Sequence, residues 1–144
     1  MRRVSLFLAL LLGSFCAAAP ANACTISATG VAFGAYNPRS PTAKTGVGSV
    51  RLDCPANARP VIAIGTGTSG TFTQRRMTSG GYSLYYNLYT TSSLSSVWGD
   101  GTGGSVTVAA PRRASTTTVH GQISAGQNVA AGSYSDTLIV TVTF

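Results

Sequence analysis

The sequence has no glutamate, one histidine and only three aspartates, and these shortages limit the chemistry that it can support. A single histidine, His120, cannot build a zinc site without partners. The aspartates Asp53, Asp100 and Asp136 are far apart in sequence, and no nucleophile elbow is present. A Ser–His–Asp triad is defined by geometry and stays formally open, but His120 lies in an apparent strand. We therefore expect no catalytic residue, no metal and no cofactor.

Long apolar runs are also scarce, and the one at the N-terminus reads as an export signal. Arg2 and Arg3 precede an apolar run from Val4 to Phe15, and small residues lead up to Ala23. This run is short for a membrane span and typical of a signal peptide. We expect residues 1–23 to be removed and residues 24–144 to form one domain, with no membrane span after cleavage.

Negative charge is rare, so the exported part is basic. Ten Lys and Arg minus Arg2 and Arg3 leave eight cations, and three Asp reduce the charge to +5. Such a charge can favour nucleic acid. The cations are spread along the chain, export argues against that partner, and no binding motif occurs. We expect no nucleic-acid role.

Cysteine is limited to three residues, of which Cys16 is lost with the signal. The remaining pair, Cys24 and Cys54, reads as a disulfide in an oxidising compartment. Lipidation of Cys24 is the alternative. It requires a bulky aliphatic residue three positions earlier, where Ala21 stands, and it would leave Cys54 unpaired. The even count favours the disulfide.

Helical periodicity is absent after residue 23, and alternation of period two takes its place. The segments "VGSVRLDC", "RPVIAIG", "YSLYYNLY", "TTTVHGQI" and "SDTLIVTVTF" read as strands, separated by Gly, Ser, Thr, Asn and Pro clusters at the spacing of a sandwich. In the last segment Leu138, Val140, Val142 and Phe144 share one face. "GTGTSG" matches a dinucleotide-binding pattern, but a strand and not a helix is predicted after it.

Aromatic residues concentrate between Tyr82 and Trp98. Tyr82 and Tyr86 share a face with Leu84 and Leu88, which predicts core packing. Tyr85 and Tyr89 then face outward, and with Trp98 they are candidates for a surface contact. A small secreted carbohydrate-binding module that uses these three side chains is the alternative function.

The segments of residues 24–144 resemble the spore coat protein U domain, the pilin-like domain of archaic chaperone–usher pili. "CTISATGVAFGAYNP" is similar to the family's opening, with its FG-x-Y element, and "VRLDC" to the strand ending at the second cysteine. "RRMTSGGYSLYYNLY" and "VWGDG" resemble the R-x-M, L-x-Y-x-L-Y and WGDG signatures. "GQISAGQ" and "GSYSDTLIVTVTF" resemble the family's ending.

This resemblance implies an all-β, incomplete immunoglobulin-like sandwich that lacks its last strand. The final strand, 136–144, would then border a groove, with Leu138, Val140, Val142 and Phe144 facing the vacancy. If about five such side chains stay exposed to water, the fold loses on the order of 10 kcal/mol of the free energy that their burial would contribute. A donor strand must therefore come from a periplasmic chaperone or, through the outer-membrane usher, from another pilus subunit.

Cleavage after Ala23 would leave no donor extension before Cys24. Such a subunit accepts a strand and gives none, which suits the tip of a fibre. The resemblance therefore implies a secreted structural subunit at the cell surface, at or near a pilus tip, with a role in adhesion and biofilm formation and without enzymatic activity. Known tips of the family have two such domains, whereas this chain has one.

Overall fold

The computed structural model describes residues 24–144, so the predicted signal segment 1–23 and its cleavage lie outside the described residues. Eight strands alternate with loops. They are β1 (Thr25–Ala32), β2 (Lys44–Asp53), β3 (Val61–Ile64), β4 (Arg75–Ser79), β5 (Tyr82–Tyr89), β6 (Val108–Ala109), β7 (Ser115–Ile123) and β8 (Val140–Thr143). A single 3₁₀ turn spans Gly67–Ser69. In the described part, no helix is long and apolar enough to cross a membrane.

Two antiparallel sheets form the fold. The larger sheet has the order β1-β2-β7-β5-β4, and the smaller has the order β6-β3-β8. The pairs β1–β2 and β4–β5 are neighbours within the larger sheet, and every other step along the chain crosses from one sheet to the other, as in a sandwich with crossing connections. The predicted all-β sandwich is confirmed at the level of two packed antiparallel sheets.

The core lies between the sheets and follows from alternation along the long strands. On β2 the buried positions are Gly48, Val50 and Leu52, and the residues between them are exposed or half-buried. Because paired residues of an antiparallel ladder share a face, the Gly48↔Val119 pair extends this inner face onto β7. Leu84, Tyr86 and Leu88 of β5 extend it further.

Several strand predictions need correction. Tyr82 is 54% exposed, although it shares the alternation of Tyr86, because it begins β5 beside the Gly80-Gly81 turn, beyond the end of the core. "TFTQRR" is not a strand until Arg75, since the 3₁₀ turn and a loop precede it. Regular pairing in the last segment begins only at Val140. The sequence pattern did not reveal β1, which has few large apolar residues.

The disulfide prediction is confirmed: Cys24 is bonded to Cys54. The bond joins the start of β1 to the residue that follows β2, next to the Thr25↔Asp53 pair. It leaves no thiol on Cys24 for lipidation. The edge strand β1 is therefore fixed covalently at one end and by its ladder to β2 along its length.

Two further contacts complete the larger sheet. Beyond Ile123, where β7 ends, the Gln127 side chain continues the pairing with β5: its Oε1 accepts from Tyr85 N at 2.7 Å and its Nε2 donates to Tyr85 O at 2.7 Å. At the outer edge of β4, Thr78 and Ser135 exchange two backbone hydrogen bonds of 3.0 and 3.3 Å. Residues of the chain itself therefore occupy both the place beside β5 beyond the end of β7 and the outer edge of β4.

Candidate functional site

An apolar cleft of about 320 Å³ lies between β1 and the segment that leads into β8. Its floor is the inner face of the larger sheet, formed by core residues of four strands. Its walls are β1 on one side and residues 134–140 on the other. The lining side chains include Ala28, Val31, Phe33, Val50, Ile64, Met77, Tyr86, Leu88, Val119, Leu138 and Val140.

The β8 wall has one paired edge. Val61 to Ile64 of β3 pair with Val140 to Thr143 of β8, and within residues 24–144 no strand pairs with the other edge of β8. Along this wall Leu138, Val140 and Val142 are half-buried against the core. The alternation read from the sequence therefore places these three side chains on the inner face, and Leu138 and Val140 line the cleft.

Phe144 behaves differently from the other three predicted groove residues. It follows the last paired residue of β8, and 64% of its surface is exposed. It is not among the residues that line the cleft. Its assignment to a donor-strand groove, like that of Leu138, Val140 and Val142, stays a prediction.

The β1 wall exposes residues that its register turns inward. Ile26 pairs with Leu52 and Ala28 pairs with Val50, and both partners are buried. Ile26 and Ala28 therefore face the interior of the sandwich, yet Ile26 is 47% exposed and Ala28 is exposed. Nothing among the described residues covers them, so the inner face of β1 is apolar surface open to water.

At one end of the cleft, Gly48 and Gly121 form a socket in which Val31 and Phe33 pack. A side chain at Gly48 would collide with Val31, and one at Gly121 would collide with both Val31 and Phe33. These glycines let Val31 and Phe33 lie directly on the sheet where β1 departs from regular pairing. Phe33 also meets Tyr86 edge-on, with ring centroids 5.8 Å apart, a favourable aromatic geometry.

A second depression of about 580 Å³ continues beyond this socket. It lies between residues 34–38 and 129–134, with Leu84 and Ile123 in its floor, and it shares Val31, Phe33, Met77 and Tyr134 with the apolar cleft. The shared residues form the boundary between the two. The apolar surface therefore extends past the end of β1.

Asp136 fixes the segment that leads into β8. Its Oδ2 accepts a hydrogen bond of 2.7 Å from Tyr86 Oη, and its Oδ1 accepts one of 3.0 Å from Thr68 N. Burial, followed by this bond to Asp136, raises the pKa of Tyr86 well above its usual range. A side chain at Gly67 would collide with the Asp136 carboxylate. The carboxylate thus links the 3₁₀ turn, β5 and the cleft wall.

The fully buried Arg75 joins the two sheets. Its Nη2 donates to Ile64 O at 3.1 Å and to Trp98 O at 2.7 Å, and its Nε donates to Gly65 O at 3.0 Å. Its Nη1 donates to Asn87 Oδ1 at 2.7 Å. Burial lowers the pKa of Arg75, and Tyr86 and Asp136 oppose that shift. The alternation of β4 puts Arg75 on the buried face with Met77, a signal that was available in the sequence.

The proposed aromatic surface is wrong for Trp98, which is fully buried. Its Nε1 donates to Ile62 O at 3.1 Å, and its backbone pairs with Leu88 and Arg75. The glycines around it let the chain pack closely: a side chain at Gly99 would collide with Ser105 and Phe72. Tyr85 is exposed and Tyr89 is half-buried opposite His120, so a surface contact through these two residues, without Trp98, stays a prediction.

His120 and the aspartates are not gathered into a reactive site. His120 lies on the outer face of β7, between Val47 and Tyr89. Asp100 accepts from Thr102 in its own loop, which lowers the Asp100 pKa, and Asp136 is held by Tyr86. Among the described residues, no group of three or more His, Cys, Asp or Glu side chains is positioned to hold a metal ion.

Comparison with known proteins connects this geometry to a family. The model of the Spore Coat Protein U domain matches residues 12–141. Among solved structures, the chain is similar to a chain of the CsuC–CsuE chaperone–tip adhesion subunit pre-assembly complex from the archaic chaperone–usher Csu pili of Acinetobacter baumannii. The TM-score is 0.62 at 23% identity, over 85% of this chain and 39% of that chain. The similarity confirms the pilin-like, immunoglobulin-like fold. No curated protein matches the sequence.

Proposed function

The chain belongs to the Spore Coat Protein U domain family, and we propose on this basis that it is a structural subunit of a chaperone–usher pilus. In this proposal the apolar cleft accepts a donor β-strand, first from a periplasmic chaperone and then from a neighbouring subunit. The usher in the outer membrane exchanges the two. The protein acts by assembly at the cell surface and has no enzymatic role.

The open seam between β1 and β8 is the observation that carries this proposal. One side presents the unpaired edge of β8 with Leu138 and Val140, and the other presents the uncovered inner face of β1 with Ile26 and Ala28. A strand laid in the seam adds main-chain hydrogen bonds and buries its alternate side chains. Each apolar side chain that becomes fully buried contributes about 1.5–3 kcal/mol.

We place the subunit at or near the tip of the fibre, in a role in adhesion and biofilm formation. The support is the predicted cleavage after Ala23, because β1 begins at Thr25 directly after the disulfide-bonded Cys24. A chain processed in this way keeps no segment long enough to serve as a donor strand. N-terminal sequencing of the exported protein tests this, and a long apolar segment before Cys24 would exclude the tip position.

A self-complemented variant tests strand acceptance without a known partner. A short Asn-Gly turn and a strand of alternating Val and Thr are fused after Phe144, since a hairpin places the added strand antiparallel to β8. We expect the free energy of unfolding to rise by several kcal/mol, because the added strand buries apolar side chains in the seam. Urea denaturation and protease resistance measure the change.

Two matched variants make the test specific. The same fusion with every Val replaced by Ser should give no gain, and the Val fusion in a Leu138→Asp background should lose most of its gain. Leu138→Asp alone should change the unfused chain by less than about 1 kcal/mol, since Leu138 is only half-buried there. Equal stability of the Val and Ser fusions would refute the proposal.

A further inference from the structure

One end of the sandwich gathers exposed arginines from three segments. Arg51 is on β2, Arg59 is in the loop after it, and Arg112 and Arg113 are in the loop between β6 and β7; all four are exposed. We name this end the arginine end. Of the eight Lys and Arg in residues 24–144, four lie here and a fifth, Arg75, is buried.

The topology holds these segments together. Ala110 N donates to Pro60 O at 2.9 Å, which joins the loop of Arg112 to the loop of Arg59. The ladder pair Leu52↔Ser115 brings Arg113, two residues before Ser115, to the end of β2. Arg113 adopts a φ of 69° in this tight connection.

Negative charge at this end is limited to Asp53 among the described side chains. The other two aspartates are engaged elsewhere, Asp100 by Thr102 and Asp136 by Tyr86. The side chains of the arginine end therefore sum to a charge of +3, from four Arg minus Asp53. Arginine pairs well with phosphate, because its planar fork donates two hydrogen bonds at once.

The N-terminal segment joins the domain at the same end. Cys24 is bonded to Cys54, and Thr25 pairs with Asp53. Only eight residues, 16–23, separate Cys24 from the apolar run that ends at Phe15, and they span at most about 28 Å. Before the predicted cleavage, a signal run inserted in the membrane would hold the arginine end close to the lipid headgroups.

An exposed aromatic side chain adds an apolar anchor. Thr143 pairs with Val61, next to Pro60, so Phe144 emerges at this end with 64% of its surface exposed. Basic residues combined with an exposed aromatic are typical of surfaces that bind at a membrane interface. We propose that the arginine end binds an anionic lipid surface, with phosphate headgroups as its ligands.

Vesicle flotation of the exported protein, purified with whatever partner accompanies it, tests this directly. The protein should bind vesicles that contain phosphatidylglycerol, bind little to phosphatidylcholine alone, and be released by high salt. Each arginine near an anionic surface contributes about fivefold in affinity, so Arg59→Gln with Arg112→Gln should weaken binding roughly 25-fold.

The matched control removes the same charge from elsewhere. Arg39→Gln with Lys44→Gln neutralises two exposed cations outside the arginine end and should change binding by no more than about twofold. Circular dichroism and an intact disulfide establish that both double variants are folded. Equal losses in the two double variants would mean that overall charge, and not this end, governs binding.

A soluble polyanion separates lipid from other partners. If heparin bound with the same dependence on Arg59 and Arg112 while anionic vesicles did not, the partner would be an anionic polysaccharide and the lipid proposal would be overturned. Phe144→Ser is the complementary variant. It should reduce vesicle binding and leave heparin binding unchanged, since only the lipid interface takes up the ring.

Discussion

The two sides of this sandwich are built to different degrees of completion. On the closed side, around Trp98, Arg75 and Ile62, every side chain named is fully buried and its polar groups are paired. On the open side, between β1 and β8, inward-facing apolar residues such as Ile26 remain exposed and a strand edge is unpaired among the described residues. The same sandwich thus has a fully covered core on one side and a partly uncovered core on the other.

This difference separates stability from function. Paired buried groups make the closed side costly to disturb, so it holds the two sheets in a fixed relation without any partner. The open side contributes less to the isolated chain, because its apolar groups are only partly removed from water. In the proposed function a donor strand completes it, and substitutions on the two sides should have different consequences.

The largest expected loss of stability is for Arg75→Met, on the closed side. This change leaves the carbonyls of Ile64, Gly65 and Trp98 without their donors, and we expect a loss of roughly 3–5 kcal/mol. Urea denaturation followed by the fluorescence of Trp98, the only tryptophan, measures it.

Arg76→Met is the matched control for that variant. Arg76 is the neighbour on β4, it is only half-buried, and its guanidinium donates to Thr68 O at the surface. Arg76→Met should lower the free energy of unfolding by no more than about 1 kcal/mol. Similar losses for both variants would show that the closed side is not held by Arg75.

An intermediate loss of stability is expected when the disulfide that fixes β1 to the end of β2 is removed. Cys24→Ser with Cys54→Ser removes a link across 30 residues, worth about 3.5 kcal/mol on the chain-entropy model. Since β1 is an edge strand with an uncovered inner face, we expect proteolysis to begin there. Mass spectrometry of limited digests would contradict this if the first cuts fell in β5 or β7.

The smallest effect is at the junction of the two sides, for Tyr86→Phe. It removes the 2.7 Å hydrogen bond to Asp136 and should cost about 1 kcal/mol at neutral pH. Because the folded state raises the pKa of Tyr86 above its usual 10.0, this contribution is present below pH 10 and is lost as the pH rises further.

The pH dependence gives this prediction its own test. Above pH 10 the wild type should lose stability more steeply than Tyr86→Phe, by at most about 1.4 kcal/mol for each pH unit. Parallel stability curves for the two proteins between neutral and alkaline pH would mean that Tyr86 ionises as freely in the fold as in the unfolded chain.

The sequence pattern was enough to predict β2, β3, β5 and β7 and the shared face of Leu138, Val140 and Val142. The segment of β3 is a short apolar run, and the others show alternation of period two. The edge strand β1 was not predicted because the segment "TISATGVA" shows little alternation between apolar and polar residues. Its register, and not its composition, turns Ile26 inward.

The misassigned residues depend on contacts between distant parts of the chain. Trp98 is buried because Ile62 and Leu88, from other strands, supply its partners. Tyr82 lies beyond the core although its spacing matches that of Tyr86. The hydrogen bond between Tyr86 and Asp136 joins residues 50 positions apart. Periodicity assigns a side chain to a face, but not to the covered or uncovered part of that face.

The paired contact of Thr78 with Ser135 has a consequence for stoichiometry. It occupies the outer edge of β4 with the chain's own backbone, and the outermost strand of the smaller sheet, β6, is two residues long. The unpaired edges of β1 and β8 flank one and the same cleft. For the part of the chain described, a titration with donor strands should therefore saturate at one strand per molecule.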